Sequence, residues 1–320
     1  MLPLPMTKPP ERAESASGYM LRLLSLNGVG VREALALCRA TRRRVPQAAD
    51  TDLLSGLAGI SAEWFDHRTP RPYVRDQWNE VALFGFTWRD AWLLRGFRQQ
   101  VCPLCIREQG IARLEWDLVA YPVCHIHGIV LQDACRICGK GLSPNRPALD
   151  VCGCGGYFAA RDNETSAATP SVKAWTVWLS QQLLADAGIA QQSGLLPFAP
   201  QLHGASPDGA YRLICAYAGG AKAFRGELIL AGRPWLSSHQ VSRLIAQGLD
   251  ALHAAAGGAQ TSIGLGSGTP YALAEQAVAG ITAWDRAVAS REMLRLRLGR
   301  RWRNALPRCP SQQELFADVS

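Results

Sequence analysis

Apolar side chains recur at helical spacing along most of this chain, and Gly, Pro and Asn mark the breaks between periodic stretches. Residues 1–13 are Pro-rich and read as an arm. Tyr19, Leu21 and Leu24 then recur over a segment that Ser15 or Ser17 can N-cap and that runs to Leu26, where Asn27–Gly30 breaks it. A second helix is expected over Val31–Thr41, with Leu35 and Cys38 inward. Short segments follow at Thr51–Leu57 and Ser61–Asp66, and TPRPY at Thr69–Tyr73 reads as a turn. Trp78, Leu83, Trp88, Trp92 and Leu93 read as helical pieces interrupted near Gly85. The pattern predicts a small all-α region over 14–98.

The periodicity stops over 99–160, which is punctuated by Gly, Pro and Cys. It resumes after Thr169–Pro170, where Ser171 reads as an N-cap and Val172, Trp175, Leu179 and Leu183 mark one helix face ending near Gly188. Tyr211–Ala218, Ala221–Leu230 and Ser238–Ala255 are further expected helices. Within Ser238–His253, Gln247-Gly248 offers a faint helix-turn-helix break, but its second helix would present Asp250 and little positive charge. Gly257–Thr269 reads as a loop. Leu273–Leu298 is the longest periodic stretch, with Ile281, Trp284 and Val288 on one face. Trp175, Trp178 and Trp284 are expected in the core. A helical domain over 171–303 and a tail over 304–320 complete the division. The expected fold class is mostly α, with a small zinc-finger module of ribbon or knuckle type.

At 320 residues the chain fits about two domains of ~150 residues each. No apolar run reaches membrane-spanning length, about 18 residues, and the first residues lack an apolar signal segment, so a cytoplasmic protein is expected. In a reducing compartment, clustered cysteines read as metal ligands rather than as a disulfide framework. The ten cysteines divide unevenly, with Cys38, Cys215 and Cys309 isolated and the rest lying between Cys102 and Cys154.

Two ligand sets follow. Cys102-Pro-Leu-Cys105 and Cys124-His125-Ile126-His127 read C-x2-C-x18-C-x2-H. Cys135-Arg-Ile-Cys138 and Cys152-Gly-Cys154 read C-x2-C-x13-C-x-C. A C-x2-C turn sets two thiolates on one side of a tight knuckle, as two corners of a tetrahedron require, and a structural zinc site closes all four positions with protein ligands. Two structural Zn2+ ions are therefore expected, one on Cys102, Cys105, Cys124 and His127 and one on Cys135, Cys138, Cys152 and Cys154. His125 competes with His127, which the C-x2-H spacing favours. Redox, disulfide and catalytic-zinc readings fit less well, because a catalytic site keeps an open position. The segment holds few large apolar residues, so metal would supply stability that a small core lacks.

The combined pattern of Arg98-Gln-Gln-Val-Cys-Pro-Leu-Cys105, Arg113-Leu-Glu-Trp116, Val123-Cys-His-Ile-His-Gly128-Ile-Val-Leu131 and Cys135-Arg-Ile-Cys138-Gly139 resembles the TniQ family. Glu14-Ser-Ala-Ser-Gly-Tyr-Met-Leu-Arg22, closed by Asn27-Gly28, and the helix around Trp178-Leu179 are similar too. The resemblance covers roughly 14–185. It implies an N-terminal helical region with a helix-turn-helix, two zinc-finger motifs, and then more helices. It also implies a bacterial transposon-targeting factor that links a target reader to an AAA+ transposition ATPase. The reader would be an RNA-guided CRISPR complex, or the family member itself on target DNA. The resemblance carries nothing onto residues 186–320, and a homodimer stays open.

Charge adds one further expectation. The net charge is +8, and the excess sits at the two ends: +4 over 1–98 and +4 over 285–320. Arg42, Arg43 and Arg44 either complete a helix C-terminus or contact phosphates. Arg291, Arg295, Arg297, Arg300, Arg301 and Arg303, with Arg286 and Arg308, suit nucleic acid or an acidic protein surface, against a solvated face as the alternative. There is no P-loop, H-E-x-x-H, G-x-S-x-G or G-x-G-x-x-G, so no enzyme is expected. The readings are a non-enzymatic targeting adaptor first, then a stand-alone sequence-specific DNA-binding protein, then a metal-dependent nuclease.

Overall fold

The computed structural model describes residues 3–31, 33–34, 50–74, 77–89, 93–96, 98–158, 166–184, 199–218, 236–256, 273, 276–277 and 280–296, without the side chains of 73–79 and 256. About half of it is helical. The chain divides into two compact units, Met1–Gly188 with Trp235–Ser242, and Ile189–Pro234 with Arg243–Ser320.

The first unit opens with helix α1, Ala16–Leu26, capped by Ser15, whose side chain accepts from Gly18 N–H at 3.0 Å. Asn27 and Gly28, the latter at φ 65°, end it. Buried Glu14 holds Arg22 through two bonds of 2.8 and 2.7 Å. Tyr19, Leu23 and Leu24 pack against Leu54, Leu57 and Phe65 of α2 (Thr51–Ala58) and α3 (Ala62–Asp66). Trp64 meets Tyr19 edge-on at 5.2 Å. The other flank of α1 lies so close to Ala112 that a Cβ on Gly18 would come within 2.4 Å of Ala112 Cβ. The second expected helix shows helical backbone at Val31, Glu33 and Ala34; the rest of it, with Cys38, Arg42, Arg43 and Arg44, lies outside the described residues, and the helix-turn-helix expected within 14–98 is not confirmed among those that are described.

The all-α reading of 14–98 is corrected at 71–88. A three-stranded antiparallel sheet stands there, β1 Arg71–Val74, β2 Gln77–Leu83 and β3 Phe86–Trp88, in that order. The stretch taken as a turn therefore runs into an edge strand, which tolerates Pro72. The stretch taken as helical pieces is a hairpin, with Leu83 paired to Phe86 across two residues. Phe84 (φ 56°) and Gly85 (φ 77°) both have positive φ, as a type I′ turn requires. The tryptophan spacing concealed the period-2 signal, in which Val81 and Leu83 are buried and Ala82 between them is less so.

Helix α4, Pro103–Gln109, starts at Cys102 and ends at Gly110 (φ 67°). A 3-10 turn follows at Leu114–Asp117. Helix α5, Pro170–Leu184, begins one residue before the expected cap, with Pro170 rather than Ser171 as its first residue. Its Trp175 Nε1 donates to Ala120 O at 2.7 Å, and its Ser180 hydroxyl donates to buried Glu115 at 2.6 Å. These bonds tie α5 to the cysteine segment.

The second unit holds α6 (Pro207–Tyr217), most of α7 (Ser238–Ala256) and α8 (Ala283–Arg295). Helix α7 is continuous through Gln247-Gly248, so the faint helix-turn-helix there is corrected. Gly248 is instead a contact point, because a Cβ on it would meet Ile214 O at 2.2 Å. The periodic stretch Leu273–Leu298 is interrupted at 280–282. Thr282 opens α8 in a capping box with Asp285, which also accepts from Ser206 N–H and Oγ at 2.8 Å each. The buried face of α8 is Asp285, Val288, Ala289, Glu292 and Met293. Trp284, expected inside, is 60% exposed. The segments expected at Ala221–Leu230 and Gly257–Thr269 lie outside the described residues, as does nearly all of Ile189–Ala199.

Candidate metal centres

The two ligand sets come together as two separate clusters: Cys102, Cys105, Cys124 and His127, and Cys135, Cys138, Cys152 and Cys154. In each, the donor atoms all lie within 4.8 Å of one another. The sets are sequential, not interleaved.

In the first cluster Cys102 is the N-cap of α4 and Cys105 lies in its first turn, so one helix start presents both thiols. Cys124 and His127 come from a tight turn in which Gly128 (φ 66°) donates N–H to Cys124 O at 2.8 Å. His127 Nδ1 stands 3.4, 3.2 and 3.5 Å from the sulfurs of Cys102, Cys105 and Cys124. His127 Nε2 meets the Glu108 carboxylate at 2.9 Å. With Nε2 bonded to that carboxylate, Nδ1 is the ring nitrogen that could hold a metal. His125 does not compete, because its Nδ1 meets the Tyr121 hydroxyl, which also accepts the His125 backbone N–H at 3.1 Å. Burial holds His125 below its ordinary pKa. Hydrogen bonds from Cys102 and Cys105 hold Cys124 well below the ordinary thiol value, while Cys105, bonded to both, is driven up.

In the second cluster Cys135 and Cys154 sulfurs are 3.7 Å apart, and those of Cys138 and Cys152 are 3.8 Å apart. Bonds of about 2.3 Å to a tetrahedral zinc give sulfur–sulfur edges of about 3.8 Å. Gly139 (φ 68°) and Gly155 (φ 83°) occupy the turn positions that such knuckles need. Burial raises Cys135, but backbone N–H groups of Cys138 and Ile137 outweigh it and hold the thiol at about 7. Both donor sets fit a tetrahedral metal and are compatible with zinc. The burial differs: Cys102, Cys105 and Cys124 are all buried, whereas Cys154 is exposed.

Residues 5–131 match the family model described as TniQ. Over this stretch the chain is similar to the TniQ family. No curated protein matches it. TniQ is a transposition accessory family and not a known enzyme family. The TniQ stretch contains the Glu14–Arg22 pair, the hairpin and the whole first cluster. The second cluster begins at Cys135, beyond it.

Sequence reasoning missed Glu108, Tyr121 and Glu115. The signal for Glu108 was available: three residues after Cys105 on one helix, it faces the same side. Glu115 joins α5 to this region through Ser180 and pairs with Arg113 at 3.0 Å. Of the basic residues named from the sequence, Arg42, Arg43, Arg44, Arg297, Arg300, Arg301, Arg303 and Arg308 lie outside the described residues. Arg291 donates to Gln201 O at 3.0 Å. Arg286 donates to Gly280 O at 2.8 Å. Arg295 is engaged inside its unit, with Glu292 at 2.6 Å, the Tyr217 hydroxyl at 3.0 Å and Ala255 O at 2.6 Å. No described helix is long and apolar enough to cross a membrane.

Proposed function

We propose that this protein is a non-enzymatic transposition targeting adaptor. It links a target reader, either an RNA-guided CRISPR complex or target DNA bound directly, to an AAA+ transposition ATPase. The observation that carries this reading is the TniQ match over 5–131, which includes both the capped helix α1 and the first four-ligand cluster. Two zinc ions, held by Cys102, Cys105, Cys124 and His127 and by Cys135, Cys138, Cys152 and Cys154, would act as scaffolding. With four protein donors each, neither centre leaves an open coordination position for a substrate. The metals would brace a segment that presents its surface rigidly while α1 and α5 pack around it. Arg291, Arg297, Arg300, Arg301 and Arg303 are proposed contacts to nucleic acid or an acidic partner. Arg295 belongs to the same proposed set, although its guanidinium also bonds Glu292, Tyr217 and Ala255 within the unit.

The test is reconstitution with an AAA+ transposition ATPase and its transposase. The adaptor reading expects target-directed insertion to need this chain, and the chain to co-purify with the ATPase. Tight binding to one duplex site with no association with the ATPase would replace it with the stand-alone DNA-binding reading. Cleavage of DNA on adding a divalent metal would replace it with the nuclease reading.

A further inference from the structure

The second metal knuckle carries the two most exposed large apolar side chains among the described residues of its unit, Ile137 at 72% and Tyr157 at 63%. They are neighbours. Ile137 lies between the ligands Cys135 and Cys138 and rests on Gly156, where a Cβ would come within 2.5 Å of Ile137 Cδ1. Tyr157 is the next residue. Arg136 and Lys140 flank Ile137 on the same turn, and both are exposed. Neither side chain has an ion pair or hydrogen bond among the described residues. By contrast, Arg22, Arg98, Arg113, Arg212 and Arg295 each meet a carboxylate. No Asp or Glu occurs from Ala134 to Leu149. The tip is also pre-shaped, because the turn bearing Ile137 and the turn before Tyr157 are drawn together at one four-cysteine cluster.

Two cations with no carboxylate partner among the described residues, beside an exposed aromatic ring and an aliphatic side chain, form a surface for nucleic acid. Cations meet phosphates, and an aromatic face takes a base by stacking. Bases in a duplex are already stacked on one another and present only their edges in the grooves. An outward tyrosine therefore favours an unpaired strand. We propose that the tip formed by Arg136, Ile137, Lys140 and Tyr157 binds a single-stranded stretch of nucleic acid. Arg136 and Lys140 contact the phosphates, Tyr157 stacks on a base, and Ile137 packs beside it. The inference stands whether or not the adaptor reading does, because its test needs no transposition partner.

The experiment is fluorescence anisotropy on the full, zinc-loaded chain over a salt series. The probes are a labelled deoxythymidine oligomer of about 15 nucleotides and a mixed-sequence duplex of similar length. The parent should prefer the oligomer. Replacing Arg136 and Lys140 together by Gln should flatten the log–log salt slope on the oligomer by about 1.4, at about 0.7 per phosphate. Tyr157→Ala should weaken oligomer binding by about tenfold or more, while Tyr157→Phe, which keeps the ring, should bind as the parent does. Zinc content and thermal unfolding should be unchanged in all three. Parent-like affinity and slope in both the charge variant and Tyr157→Ala would overturn the proposal. So would duplex binding as tight as oligomer binding and indifferent to Tyr157→Ala.

Discussion

Single side chains outside the ligand sets tune this protein. Glu108 orients His127 through Nε2, and such partners typically cost about 10- to 100-fold in metal affinity when lost. Glu108→Gln should therefore surrender zinc from the first centre at a lower chelator concentration than the parent, while the second centre is unaffected. Zinc release monitored against a competing chromophoric chelator reads this directly, and unchanged release would show Glu108 to be a bystander. Asp117 makes a second case. Its carboxylate accepts from Ser17 Oγ at 3.2 Å and shares a small cleft with Arg68 and Arg95. Burial pushes its pKa up to about 7, with Glu115 adding to the rise and Ser17, Ser15 and Arg146 opposing it. A carboxyl raised in the folded state binds more protons there than in the unfolded chain between about pH 4 and 7, so its contribution to stability falls as pH rises through that window. Asp117→Asn should remove this loss. The melting temperature of the variant relative to the parent should be more favourable at pH 8 than at pH 5. An equal difference at both pH values would mean that Asp117 is ionised throughout.

Whole elements owe their positions to contacts rather than to propensity alone. Helix α7 carries Gly248 in its interior, which by propensity costs about 1 kcal/mol relative to Ala. Its absent side chain lets α6 approach, with Ile214 O at 2.2 Å from where a Cβ would stand. A backbone oxygen cannot rotate away, so Gly248→Ala should destabilise the second unit by about 1–3 kcal/mol despite the gain in helix propensity. Denaturant unfolding checks the sign, and a stabilised variant would show that the two helices can part without cost. The start of α8 follows the same logic. Asp285 completes the capping box of its own helix and receives both donors of Ser206, so one carboxylate holds two helix starts. Gly209 packs against that carboxylate, with Oδ1 at 2.0 Å from the Cβ position.

Across the molecule, the metal content follows from sequential pairing. The protein should hold two zinc ions per chain by elemental analysis, and Cys105→Ser and Cys135→Ser should each lose about one. Cys105→Ser should also expose the segment around 102–131 to protease, because metal binding at such a four-donor site would be coupled to folding. A single zinc in protein produced with ample metal, or loss of both from either variant, would contradict two independent centres.

The ligand sets were legible in the sequence because a knuckle is local: C-x2-C and C-x2-H spacings place their donors through a few backbone angles, and the glycines beside them mark the turns. The helix start at Ser238, and one near Ser15 or Ser17 that the structure places at Ser15, were legible for the same reason. What is not local came only with the fold. Trp78, Trp88 and Trp92 sit at spacings compatible with a helix, yet pairing between Gln77–Leu83 and its two neighbours makes a sheet over 71–88. Trp284 reads as core by hydrophobicity, but the charged Asp285 and Glu292 take the inward face of α8 because Ser206 and Tyr217 wait there to bond them. Spacing prefers His127 over His125, and only the fold shows Glu108 against the ring of His127 and Tyr121 against that of His125. Local backbone geometry is written in neighbouring residues, whereas the partner of a buried polar group is set by a residue far along the chain that only folding brings near.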